Sequence, residues 1–96
     1  MFIVVSRWEP KPEKGDAWKE MAAAARAKVS QVPGVEFMNR FMNEAGQMVV
    51  MMGYTDEATY DRLVNDPSGA VAQAMAETDV EEYATWVSSE RGESFD

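Results

Sequence analysis

The chain has 96 residues, no cysteine, no histidine and a formal charge of −8. That length makes one domain, and the missing residue types exclude disulfides, a thiol nucleophile, thiolate or imidazole metal sites and an imidazole base near neutral pH. The nine basic residues are scattered through an acidic chain, which excludes nucleic acid as a partner, because phosphate contacts need clustered Lys and Arg.

Phe2 to Trp8 reads as a strand that is apolar on both sides, with Phe2, Val4 and Trp8 on one face and Ile3 and Val5 on the other. It is too short for a secretory leader, and no run approaches the roughly 20 apolar residues of a membrane span. The expected location is cytoplasmic, with no membrane partner. Glu9 to Gly15 breaks regular structure. A helix is expected from Asp16, read as its N-cap, to Gln31, because Trp18, Met21, Ala22, Ala25 and Val29 recur every three or four residues. Pro33-Gly34 ends it.

Val35 to Asn43 alternates, with Val35, Phe37, Asn39 and Phe41 on one side and Glu36, Met38, Arg40 and Met42 on the other. Asn43-Glu44-Ala45-Gly46 makes a hairpin loop. Gln47 to Tyr54 returns, again apolar on both faces. Thr55-Asp56-Glu57 starts a second helix with a buried stripe of Tyr60, Leu63 and Val64. Asn65-Asp66-Pro67 interrupts it, and Asp66 caps a further turn through Val71, Ala74 and Met75. Val80 to about Ser89 is the last strand. Residues 1–90 thus form the domain, and residues 91–96 a polar C-terminal tail.

The order β-α-β-β-α-β predicts an α+β ferredoxin-like sandwich: a four-stranded antiparallel sheet with both helices on one face. Strands that are apolar on both faces leave the second face to be covered. An identical sheet is the cheapest cover, so a homodimer is expected, two subunits forming a dimeric α+β barrel.

Three stretches in this order resemble the antibiotic-biosynthesis-monooxygenase-like domains of the dimeric α+β barrel superfamily. They are Phe2 to Trp8, Val32-Pro33-Gly34-Val35, and Val49 to Ala58 followed by Asn65-Asp66-Pro67. The resemblance implies a ligand pocket between sheet and helices. Some members oxidise phenolic polyketides with oxygen and no cofactor, others degrade haem, others are isomerases. The haem-degrading members hold iron with a histidine on the second helix, which this chain lacks. Their first-strand asparagine falls at Ser6, and the aromatic closing their third strand falls at Tyr54 rather than Trp. No cofactor and no metal is therefore expected.

Tyr54 is a candidate donor to a phenol or quinone oxygen, or a packed strand-end aromatic. Asn39 is read as an amide on an apolar face that either orients a ligand or satisfies a backbone carbonyl. Trp18 and Trp86 are core aromatics or pocket walls. Ser6 is a small polar group in an apolar strand that no histidine activates. Five of the eight methionines (Met38, Met42, Met48, Met51 and Met52) sit on the hairpin, as a forgiving core or an adaptable ligand wall. Arg40 needs a carboxylate if its face is covered, with Glu36 or a partner's Glu the obvious choice; anion binding is the alternative. Asp79, Glu81 and Glu82 read as a solvated acidic turn. Two functions remain open: a cofactor-independent monooxygenase-like enzyme acting on an aromatic or polyketide-like compound, and a non-enzymatic small-ligand-binding or structural homodimer.

Overall fold

The computed structural model describes residues 1–95. In chain order it contains β1 (Phe2–Pro10), α1 (Gly15–Val29), β2 (Val35–Met42), β3 (Met48–Tyr54), α2 (Glu57–Tyr60), α3 (Ala70–Ala76) and β4 (Ala84–Glu93). The strands form one antiparallel sheet in the order β2-β3-β1-β4. This is the ferredoxin-like α+β architecture expected from the element order. The strands apolar on both sides, β1 and β3, are the two central ones, where every residue lies between neighbours.

The helices cover one face. Val29, Tyr60, Leu63 and Val71 pack with Phe2, Met38 and Tyr54 in one buried cluster, and Trp18 packs with Met48 and Ala84 in a second. Each fully buried side chain of this size contributes about 1.5–3 kcal/mol. Arg26 of α1 also donates through Nε to the Met38 carbonyl at 3.2 Å, tying the helix to edge strand β2.

Several boundaries differ from the expectation, each for a local reason. Helix α1 starts at Gly15 after Lys14, so Asp16 is not the cap; it lies in the first turn, where its charge faces the positive end of the helix dipole. The helix stops at Val29, and a backbone turn from Val29 to Val32 leads into Gly34, whose φ is +101°. Asp56 does cap α2, accepting the Thr59 amide at 2.7 Å. Beyond Tyr60 the helix widens into a π-helical turn over Asp61–Asn65, closed by the Asp66 amide on the Asp61 carbonyl at 3.0 Å. The Asp66 carboxylate accepts from the Ser68 amide and hydroxyl, but the helix that follows, α3, starts after Gly69 with no side-chain cap, so Asp66 is not its cap.

At the C-terminal end Val80–Glu82 form a 3₁₀ turn, not strand. Strand β4 starts at Ala84 and runs to Glu93, so Arg91 to Glu93 are paired with β1 rather than lying in a tail. The polarity of these residues reflects an edge strand facing water, not absence of structure. Asp96, the last residue of that expected tail, lies outside the described residues.

The largest correction concerns β2. A bulge sets Val35 opposite Tyr54 but Phe37 opposite Gly53. Val35 therefore packs with the helix-side core, while Phe37, Asn39 and Phe41 turn to the other face. A Cβ on Gly53 would strike the Phe37 ring, which is why this position takes glycine. Met38 and Arg40 are left beneath the helices.

Candidate functional site

A partly open cavity of about 180 Å³ lies between the helix-covered face of the sheet and α1, α2 and α3. Its sheet wall includes Ser6 and Trp8 from β1, Arg40 from β2, and Met48, Met52 and Tyr54 from β3. The helices contribute Trp18, Met21 and Tyr60 among others. The alternation of the strands brings these residues together, since every second residue of β1 and β3 faces the helices. A larger groove of about 480 Å³, lined by Ile3, Val5 and residues 90 to 95, is open to solvent and encloses nothing.

Tyr54 is 2 % exposed. Its ring meets the Tyr60 ring edge-on at 5.2 Å, and Tyr60 in turn packs 5.1 Å from Phe2. Burial pushes the Tyr54 phenol well above its ordinary range, and the neighbouring Tyr60 adds to the shift. The group stays a neutral donor. Its hydroxyl points at the Met52 sulfur, 3.4 Å away. A thioether is a weak acceptor, so a ligand oxygen would capture this hydrogen bond with little loss.

Trp8 and Trp18 meet edge-on at 6.4 Å. The Trp8 indole N–H donates to Ser6 Oγ at 3.3 Å, which fixes the serine as an acceptor and leaves its own proton free. No histidine, cysteine or carboxylate stands in the cavity wall, so Ser6 has nothing to activate it as a nucleophile. Groups of three or more residues able to hold a metal ion are absent among the described residues.

Arg40 is the charged member of the wall. Its Nη1 is buried and has no hydrogen-bond partner among the described residues. Glu36, the carboxylate expected to pair with it, instead accepts from the Thr55 hydroxyl at 2.8 Å. The bulge at Glu36 separates two residues that simple alternation would have placed on one face of the strand.

Three of the five residues singled out in the sequence, Ser6, Trp18 and Tyr54, line this cavity. Asn39 does not: it is exposed, on the face away from the helices. Trp86 pairs with Trp8 from edge strand β4 and is 56 % exposed, outside the cavity. Sequence reasoning passed over Trp8 and Tyr60 as wall residues, and gave Arg40 an ion pair first and anion binding second. The usable signal for Arg40 was its parity with Met38, opposite Met52 of the apolar return strand.

Comparison with known proteins gives a consistent family. A model of the antibiotic biosynthesis monooxygenase family matches residues 1–77. No curated protein matches the sequence. Among solved structures, the cofactor-independent oxygenase SnoaB of Streptomyces nogalater superposes with a TM-score of 0.75 at 12 % identity, covering 99 % of this chain and 93 % of that one. A Nitrosomonas europaea protein of unknown function gives 0.78 at 19 % identity, over 99 % and 89 %. A Mycobacterium tuberculosis protein gives 0.76 at 16 %, over 99 % and 95 %. At such identities these likenesses establish the fold alone.

Proposed function

The chain belongs to the antibiotic biosynthesis monooxygenase family, and from that premise we propose that it oxidises a small aromatic compound with molecular oxygen, without a cofactor, in the cavity between sheet and helices. The supporting observation is the buried Tyr54 phenol, held neutral and hydrogen-bonded only to a thioether in an otherwise apolar wall.

The chemistry closes without a reductant. Converting a ring CH₂ beside a phenolic oxygen to a carbonyl releases four electrons. Oxygen accepts all four: one of its atoms becomes the carbonyl oxygen and the other leaves as water. The substrate enters as a delocalised anion, its proton already lost to solvent, and that anion reacts with oxygen; the proton is recovered in the water released. The protein's part is to exclude water, to hold the ring flat between aromatic and methionine side chains, and to donate to the oxygen on which charge gathers. Tyr54 is the donor; Ser6 is a second polar contact; Trp18 and Trp8 form the floor.

The size of the cavity narrows the substrate. A cavity of about 150 Å³ holds one benzene ring, so 180 Å³ suits one ring or two fused rings. A four-ring polyketide would have to protrude. We also propose a homodimer, in which the face carrying Phe41, 52 % exposed, with Ile3, Val5 and Met51, meets its copy.

Oxygen uptake tests this reading. One- and two-ring phenols with an activated CH₂ are offered to the protein in the presence of a chelator. Uptake above the uncatalysed rate, reduced about tenfold or more in Tyr54→Phe, is the expected result. Tight retention of such compounds with no uptake would instead mark a binding module, the alternative that the base-free wall favours.

A further inference from the structure

We infer that the cavity selects a ligand already carrying a negative charge, and that Arg40 is the residue that selects it. The inference rests on the cavity being a ligand pocket, but not on any reaction with oxygen.

Arg40 is turned beneath the helices by the bulge in β2, not by a partner. No carboxylate stands in the cavity wall. Glu36 is occupied by Thr55, and the ion pairs of the described residues join Arg7 to Glu90, Lys28 to Glu77 and the N-terminus to Glu93. The chain has seventeen acidic residues against nine basic ones, so a partner for the buried Nη1 of this half-buried side chain would have been easy to supply. An unpaired buried N–H of a cation is costly, and a pocket keeps such a group where a ligand completes it.

The rest of the wall agrees. Tyr54 is a donor kept neutral by burial, and Trp8 spends its N–H on Ser6. The site offers donors and a cation to an incoming oxygen and holds no base to create an anion there. A ligand that must be ionised therefore arrives ionised, or is drawn to that form by Arg40. The apolar remainder, rich in methionine and aromatic side chains, rejects inorganic anions. The ligand is a flat organic anion of one or two rings, whose charged oxygen belongs to a carboxylate or to an acidic phenol or enol. A guanidinium accepts either, through paired or single charge-assisted hydrogen bonds.

The test is direct binding, without oxygen chemistry. Titration calorimetry compares benzoate with benzamide, its neutral isostere. In parallel, 4-nitrophenol is added at a pH where it is half ionised, and its visible absorbance reports the ionised fraction. The wild type is expected to bind benzoate about tenfold or more tightly than benzamide, or to raise the nitrophenolate fraction, or both. Arg40→Gln should abolish the preference and Arg40→Lys should retain part of it. Circular dichroism confirms that each variant folds. A benzoate preference alone assigns a carboxylate ligand; a nitrophenolate shift alone assigns a phenolate. Equal binding of charged and neutral probes with no absorbance change overturns the inference, as does a preference that survives in Arg40→Gln. Because binding is read without turnover, loss of the oxygenase reading would leave this result standing.

Discussion

The hydroxyl of Tyr54 donates to the sulfur of Met52, two residues earlier on the same strand, across 3.4 Å. Both residues face the helices, and the pair closes one end of the core cluster built on Phe2, Val29 and Leu63. A phenol satisfied only by a thioether is structurally replaceable and chemically available. Those two properties can be separated by mutation.

Tyr54→Phe should leave the fold intact, with a loss of stability below about 1 kcal/mol, because a weak hydrogen bond is exchanged for none. Thermal unfolding checks this. The same variant should differ from wild type in its alkaline stability. The folded phenol ionises far above its ordinary value of 10.0, so the unfolded chain loses that proton first. Stability is unaffected below about pH 10 and falls as pH rises beyond it. Denaturant midpoints between pH 9 and 11 should fall less steeply in Tyr54→Phe than in wild type.

Arg40→Met should raise stability by about 1 kcal/mol while removing the anion preference. The side chain leaves no buried N–H unsatisfied and matches a wall already rich in methionine. For a domain of this size that is a rise in Tm of about 4–8 °C. A fall in Tm would show that the guanidinium has a stabilising partner in solution.

Asp56→Ala should lower Tm at neutral pH, since the carboxylate caps α2 through the Thr59 amide at 2.7 Å. The side-chain and backbone hydrogen bonds of Thr59 hold the Asp56 carboxyl below its ordinary 3.8. The capping contribution is thus present above pH 3.8 and is lost as pH falls through the lower folded value. The gap between wild type and variant should therefore close under acid. A gap independent of pH would contradict the assignment.

Gly34→Ala should destabilise by about 1–3 kcal/mol. Gly34 has φ +101°, and a Cβ there would sit 2.5 Å from Thr59 Cγ2. Chemical denaturation measures it; the neighbouring Pro33→Ala is the control that leaves this backbone conformation free.

Alternation and helical spacing were enough to order the elements, because Phe2 to Trp8 and Met48 to Tyr54 are apolar on both sides and the Trp18 to Val29 stripe has one period. The cavity was half legible for the same reason: Ser6 and Tyr54 follow from the parity of central strands. Asn39 was misplaced because alternation carries no mark of which face the helices cover, and a single extra residue at Glu36 flips it. Trp86 was misread as interior because an edge strand with an apolar side chain looks like a central one. Arg40 shows the same limit from the other direction. Its pairing with Glu36 is the natural reading of two opposite charges four residues apart on one face of an alternating strand, and the bulge undoes it.

Co-crystallisation with 1-naphthol, a neutral two-ring phenol small enough for the cavity, tests the central claim most directly. The rings should lie between α1 and the sheet, against Trp18 and Met48, with the hydroxyl near Tyr54. Density for the compound on the opposite face of the sheet, with the cavity filled by Met48, Met52 and Trp18, would contradict it.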